Sequence, residues 1–389
     1  MLSEENALSE AERFIGTLPQ WRGRGIVIVA GGVKYFTNAW VCLSMLRRWR
    51  CQLPIELWHL GPPEMDATMK VLASRFDVTF VDALEVRHRH PARILNGWEL
   101  KPYAMLHSRF REVLLLDADN MPLVDPEFLF ETPQYQRTGA IFWPDRGRME
   151  RERAIWKLCG VPFHDGPEFE TGQVVVDKQR CETALRLTMW YNEHSDFFYQ
   201  YVHGDKETFH MAWRKLGFDY AMPNKGVCDL EGNMCQHDFD DRRIFQHRGT
   251  HKWKLQGNER VEDFRYEPEC LEYLAELGKE WDGQIRPTAP PPATISEAEK
   301  KAADSLLNRI FLYYIGNDNR EMTFLPTGRI GVGTRENEIY WRVRQTNGHP
   351  VLHISSERNQ FALERGEDGV WKGQWPWDKT LPVRLVAKP

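Results

Sequence analysis

The chain has 389 residues, 42% of them hydrophobic and 28% charged, which is the composition of an ordinary globular protein with length for two or three domains. A formal net charge of −5 gives no basic footprint for nucleic acid, and no apolar run approaches the roughly 20 residues that cross a bilayer. The seven cysteines are odd in number, scattered and free of any Cys-x-x-Cys pair, which argues against a zinc ribbon or redox motif and for reduced thiols.

The first residues, Met1-Leu2-Ser3-Glu4-Glu5, are acidic and lack the layout of a signal peptide, so a cytoplasmic protein is the expectation. Residues 1–22 read as an N-terminal helical segment, amphipathic over 3–16. The run Gly25–Ala30 is a β-branched central strand that ends in Gly31-Gly32, a tight loop where backbone can approach a ligand. Thr37 or Asn38 is expected to cap the helix that follows, through about Arg50. A strand over 55–60, a helix over 64–75 and a strand over 78–81 then give the β-α-β-α-β order of a parallel sheet with crossover helices. The basic run Arg87–Arg93 reads as a solvated loop, and 97–110 as a helix.

Leu114-Leu115-Leu116 then runs straight into Asp117-Ala118-Asp119. So apolar a run suits a strand buried on both faces, with the acidic pair at its exposed carboxyl end, where ligands bind in open α/β folds. Residues two apart on extended chain point the same way, so both carboxylates can converge on one hard divalent cation. A nucleotide diphosphate would complete that cation's shell. The competing explanation for such a pair is a solvated turn with a helix cap.

Beyond the pair, strands are expected at 139–145 and 169–177, and helices at 179–194, from about 203 to 216 and at 261–279. A short strand and polar turn, Ile244–Trp253, is rich in histidine and cations. Arg286-Pro287 to Ala293 is a semi-rigid proline linker over 286–294. Residues 295–389 read as a helix followed by short alternating strands, that is, a small all-β barrel or sandwich. Gly328, Gly331 and Gly333 lie among β-turns and do not form a dinucleotide loop. Tryptophan is plentiful, at 15 residues; Trp98 and Trp143 read as core or pocket wall rather than as specific sugar platforms.

Six motifs now stand in order: Gly97-Trp98-Glu99-Leu100-Lys101, Leu114–Asn120, Phe142-Trp143-Pro144-Asp145, Glu170-Thr171-Gly172-Gln173, Gly204–Phe209 and His247-Arg248-Gly249. Together they resemble the fungal retaining α-mannosyltransferases that build outer mannan branches and, more distantly, glycogenin-type glycosyltransferases. The resemblance covers about residues 23–255. It implies a GT-A fold over 23–285, a Rossmann-like mixed sheet flanked by helices. It also implies a nucleotide-sugar donor, manganese or magnesium, and transfer with retention to a glycan or other hydroxyl acceptor. It places the metal on Asp117, Asp119 and His247, with His251 as a competitor for the last position. It places the nucleotide-sugar against Gly31, Gly32, Tyr35, Lys101, Asp117, Ala118, Asp119 and Lys252. Those relatives carry a membrane anchor, a stem and no such β domain, which sets this chain apart from them.

Cleavage of a nucleotide-sugar bond builds charge on the leaving diphosphate. A metal neutralises it, and Lys206, Lys252 or Arg248 can add donors. Glu170 and Asp205 are the carboxylates expected beside the anomeric carbon, as nucleophile or as sugar-positioning groups. GDP-mannose is the leading donor. A UDP-sugar-dependent glucosyl or galactosyl transferase is the first alternative, and a carbohydrate-binding protein with a spent site is the second.

Overall fold

A computed structural model describes residues 21–286, 297–325, 328, 330–333, 338–346, 349–356, 360–376 and 378–388. Most of the N-terminal segment expected to be helical, and all of the expected proline linker but Arg286, lie outside these residues. By internal contacts the chain divides into two compact units, one of residues 1–61 and 68–285, the other of 62–67 and 286–389.

The first unit is built on a six-stranded sheet in the order β3-β2-β1-β4-β7-β6, where β1 is Arg24–Val29, β2 Ile55–His59, β3 Val78–Asp82, β4 Glu112–Asp117, β6 Ala140–Arg148 and β7 Pro167–Asp177. The first four run parallel, while β7 pairs antiparallel with both β4 and β6. This is the mixed, Rossmann-like sheet expected. Val113 to Leu116 of β4 are buried, flanked by β1 and β7. A strand walled on both sides and both faces needs apolar side chains in succession, which is why this segment does not alternate.

Helices α1 (Gly32–Arg48), α2 (Leu100–His107), α3 (Lys178–Glu193), α4 (Asp205–Leu216) and α5 (Glu267–Glu280) cover the sheet. Tyr103, Met105, Ala184, Leu185, Phe209 and Trp213 of α2, α3 and α4 pack with Val27, Val113, Leu115 and Val174 in one core. Val41, Met45, Cys270 and Leu274 of α1 and α5 join a second core with Met121 and Trp253. A smaller antiparallel sheet, β5-β10-β9-β8, is formed by β5 (Asn120–Pro122), β8 (Cys228–Leu230), β9 (Asn233–His237) and β10 (Arg243–His247).

Three local expectations differ from the structure. Helix α1 starts at Gly32, with Gly31 in the capping position, so Thr37 and Asn38 lie inside it. Their side chains bond back to Val33 O and Lys34 O, the i−4 pattern that Thr and Asn adopt within helices. Part of the basic run is helical, since Arg87 and Arg89 fall in the last turn of a helix over Ala83–Arg89, where cations suit the dipole. Residues 261–266 precede α5 and are not helical: Tyr266, at its start, has a left-handed backbone with φ 60.

The second unit contains a helix, α6 (Glu297–Asp304), and seven antiparallel strands, β11 to β17, over Ile310–Ile315, Asp318–Thr323, Tyr340–Thr346, His349–Ser355, Gln360–Arg365, Trp371–Trp375 and Asp378–Ala387. Their order is β12-β11-β17-β16-β15-β14-β13. Gly328 and residues 330–332 bridge the two edge strands. The Gly331 amide donates to Thr323 O at 2.8 Å, and the Trp341 amide to Gly328 O at 2.8 Å. The sheet thus closes on itself, around Tyr313, Leu352, Leu363, Trp371 and Leu385. No helix among the described residues is long and apolar enough to cross a membrane.

Candidate active site

Strand β4 ends at Asp117, and Ala118-Asp119 form a turn before β5. The two carboxylates therefore converge through a turn rather than along extended chain. The turn exists because the backbone must leave the large sheet at Asp117 and join the small one at Asn120. There β5 pairs with β10, setting Asn120 opposite His247. One potential ligand atom each from Asp117, Asp119 and His247 lies within 4.8 Å of the others. Two carboxylates and an imidazole form a donor set that manganese or magnesium accepts. His247 Nε2 is 3.1 Å from Asp119 Oδ1, while its buried Nδ1 has no hydrogen-bond partner.

Two lysines balance the aspartates. Lys101, buried at the start of α2, lies 2.9 Å from Asp117 Oδ1 and 3.1 Å from Asp205 Oδ2. Burial opposes its charge, but Asp117 and Asp205 outweigh burial and raise its pKa. Lys252 contacts Asp119. Burial brings its pKa down to about 8, with Lys34 and Lys101 adding repulsion and Asp117 opposing them, so it is still charged at neutral pH. Its Nζ also stands 5.9 Å from the Tyr35 ring centre, and Tyr35, in the first turn of α1, is 39% exposed. Gly31, Gly32 and Tyr35 thus lie at the carboxyl end of β1, beside the end of β4.

Glu170 and Asp205 approach the same centre. Asp205 accepts from Thr171 Oγ1 at 2.8 Å, and Lys101 Nζ is 3.2 Å from that same hydroxyl. Glu170 Oε1 accepts the Gly172 amide at 2.7 Å and lies 3.8 Å from His247 Nδ1. Burial is the largest influence on Glu170 and raises its pKa; Asp145 and Asp117 push the same way, and His247 and Lys101 oppose them. Beneath, Asn120 Nδ2 donates to Gly172 O at 2.8 Å and contacts Gln173, which tie the turn after β4 to β7.

A family model for mannosyltransferases, Mannosyl_trans3, matches residues 23–159 and 163–237. The chain belongs to this mannosyltransferase family. It is 26% identical over 275 residues to alpha-1,2-mannosyltransferase MNN24 of Candida albicans, covering 56% of this chain and 37% of that protein. It is 25% identical over 277 residues to alpha-1,2-mannosyltransferase MNN2 of Saccharomyces cerevisiae, covering 56% of this chain and 46% of that one. The chain thus spans less than half the length of these two curated relatives. Among solved structures, the galactosyltransferase LgtC in complex with donor and acceptor sugar analogues is 16% identical, with a TM-score of 0.35 over 51% of this chain and 73% of that one.

Three other basic side chains of this mannosyltransferase-family chain, Lys206, Arg248 and His251, are engaged elsewhere. Lys206 contacts Asp145 and stands 3.5 Å from Glu168, rather than facing the aspartate pair. Arg248 is fully buried, donating to Glu267 Oε1 at 2.8 Å and Glu259 O at 2.6 Å, with its guanidinium 3.8 Å from the Trp253 ring centre. It fixes the loop that carries Lys252. His251 is 2.9 Å from Asn233 Nδ2 and 3.3 Å from Glu259, so it is His247 that joins Asp117 and Asp119. Asp205 is the first residue of α4 rather than its cap, a position that Gly204 takes. Cys228 and Cys235 face each other across β8 and β9 as free thiols.

Sequence reasoning did not single out Thr171 and Gly172, although both stand in the Glu170–Gln173 motif. A Cβ on Gly172 would lie 2.7 Å from His247 Nδ1 and 3.0 Å from Glu170 Oε1. The glycine is what lets the imidazole approach β7.

Proposed function

We propose that this protein is a metal-dependent retaining glycosyltransferase that moves mannose from GDP-mannose to a hydroxyl of a glycan acceptor. The observation that carries the reading is the convergence of Asp117, Asp119 and His247 at the end of β4, in a chain of the mannosyltransferase family. A manganese or magnesium ion held there supplies Lewis-acid neutralisation of the diphosphate. The protein's own groups do the rest. Lys252, beside Asp119, adds positive charge where the leaving diphosphate develops its own. Gly31, Gly32 and Tyr35 take the base and ribose. Lys101 holds Asp117 and Asp205 in a fixed relation, so neither carboxylate must reorganise when the donor binds.

Asp205 and Glu170 are the carboxylates assigned to the sugar. Asp205, with one oxygen on Lys101 and Thr171, is the more firmly positioned of the two, suited to orienting the sugar hydroxyls. Glu170, whose proton affinity burial raises, stands next to His247. In the reaction the bond from the anomeric carbon to the diphosphate oxygen breaks. A bond from that carbon to the acceptor oxygen forms on the same face, and the acceptor proton passes to the departing phosphate.

The test is a panel of GDP-mannose, UDP-glucose and UDP-galactose with manganese, scored for nucleotide release with and without a mannoside acceptor. Release from GDP-mannose that EDTA abolishes and manganese restores is the expected result. Release from a UDP-sugar instead would replace the donor assignment. If no sugar nucleotide turned over or bound, the enzyme reading would fall in favour of a carbohydrate-binding protein.

A further inference from the structure

Trp98 stands apart from most tryptophans of the first unit. Trp40, Trp58, Trp143, Trp156, Trp213 and Trp253 are buried, whereas Trp98 is 53% exposed. It is not a side chain stranded in solvent. A Cβ built on Gly204 would come within 3.0 Å of Trp98 Cε3 and 3.2 Å of Cζ3, so the indole lies directly on the backbone of Gly204. Gly204 is itself buried, in extended backbone (φ 162), so a positive φ does not explain the glycine; the ring lying against it does. The Tyr199 ring stands 6.0 Å away at 52° and bounds one side. Tyr199 is in turn fixed by donating to Asn192 Oδ1 at 2.6 Å.

The segment that carries this ring and the one beneath it both lead into the site. Gly204 precedes Asp205, and Trp98 starts the turn that ends at Lys101, whose amide donates to Trp98 O at 3.0 Å. Lys101 and Asp205 are themselves paired at 3.1 Å. The indole thus lies against the residue that precedes Asp205, one of the two carboxylates assigned to the sugar, with apolar surface turned to solvent at a cost that burial in a core would avoid. An aromatic face of this kind packs on the C–H face of a pyranose, while the polar rim takes the hydroxyls.

We infer that Trp98, seated on Gly204, is the stacking platform for the acceptor sugar, a pyranose whose attacking hydroxyl is presented toward Asp205 and Glu170. The inference rests on the glycosyltransferase reading and adds the acceptor subsite to it. Trp98 acts by binding and orienting the acceptor, and takes no part in holding the nucleotide.

The experiment uses the full chain and two readouts. Calorimetric titration with α-linked mannobiose, in the presence of manganese and GDP, measures acceptor binding without requiring turnover. Trp98→Ala is expected to weaken mannobiose binding about tenfold, the scale of one aromatic stack, and Trp98→Phe to recover part of it. In turnover assays the acceptor KM should rise by the same factor with a smaller change in kcat. Gly204→Ala, which displaces the ring while keeping the indole, should reproduce the loss. Manganese-dependent GDP binding, lost in Asp119→Ala, separates failure of this subsite from failure of the donor reading. Wild-type affinity for mannobiose in both Trp98→Ala and Gly204→Ala, or no binding of the disaccharide by the wild-type protein, would overturn the inference.

Discussion

At the scale of single residues, the site is a balance of opposite charges held close by short contacts. Asp119 faces Lys252 and His247 together, and its removal leaves Lys252 without the carboxylate it contacts and His247 with Glu170 alone, at 3.8 Å. Asp119→Ala should therefore abolish manganese-dependent GDP binding and lower kcat at least about 100-fold, the scale of losing one preorganised group that opposes developing charge; nucleotide titration and steady-state rates check both. Gly172→Ala is a finer probe. Its Cβ meets His247 Nδ1 at 2.7 Å, so the imidazole must shift while every ligand remains present. Metal affinity should fall about 10- to 100-fold, as it does when a group that orients a ligand is disturbed. A manganese titration showing unchanged affinity would mean that His247 does not ligate.

At the scale of elements, the chemistry depends on segments that bring distant parts of the chain to the end of β4. The loop after β10 is one. Arg248 binds Glu267 of α5 and the carbonyl of Glu259, and Trp253 accepts its guanidinium against the ring. The Trp253 amide then donates to Asn38 Oδ1 of α1 at 2.9 Å. Arg248→Met should cost about 3–5 kcal/mol, because the Glu267 carboxylate is left buried without its partner. Urea unfolding measures this. The double variant with Glu267→Gln should recover part of the loss, since the stranded charge is then gone too. Equal destabilisation in single and double variants would show that lost packing on Trp253, not the charge, accounts for the cost.

At the scale of the molecule, the fold buries imidazoles in neutral form, and this makes its stability depend on acid. Burial lowers the pKa of His59, at the end of β2, to about 4, and that of His210, in α4, to about 3. His210 is stacked on Phe169 at 4.4 Å and 6°, and its Nε2 accepts from Arg214 Nε. Both groups bind protons less readily when folded than at the ordinary value of 6.5. The unfolded chain therefore takes up protons first, and stability, full above about pH 6.5, is lost as pH falls toward 4 and 3. Melting temperatures between pH 7.5 and 4 should show this fall, and His210→Gln should flatten it. The two units also carry separate cores, with the whole candidate site in the first. Trp371→Ala, in the core of the second, should cost that unit about 3–5 kcal/mol and leave manganese-dependent GDP binding at its wild-type affinity. A loss of nucleotide binding in this variant would show that the first unit relies on the second.

Much of this was legible in the chain alone, for local reasons. Leu114 to Leu116 has no polar face and must be a doubly covered strand; Asp117 can only close it and Asp119 must lie beyond, so the acidic pair marks its end. The βα alternation ahead of it sets a parallel sheet, and the short alternating runs after residue 310 set an antiparallel one. What the chain could not disclose is which groups meet across it. Lys206 and Lys101 look equally available in sequence, yet Asp145 and Glu168 take the first, while the second lies between Asp117 and Asp205. Arg248 and Lys252 are four residues apart, and burial against Trp253 makes one a structural clamp and leaves the other at the carboxylates. Trp98 reads like any core tryptophan until Gly204 is found beneath it. Periodicity and turn chemistry are properties of neighbours in the chain. The pairing of charges and the exposure of a ring are decided by residues tens to more than a hundred positions away, and only tertiary structure brings them together.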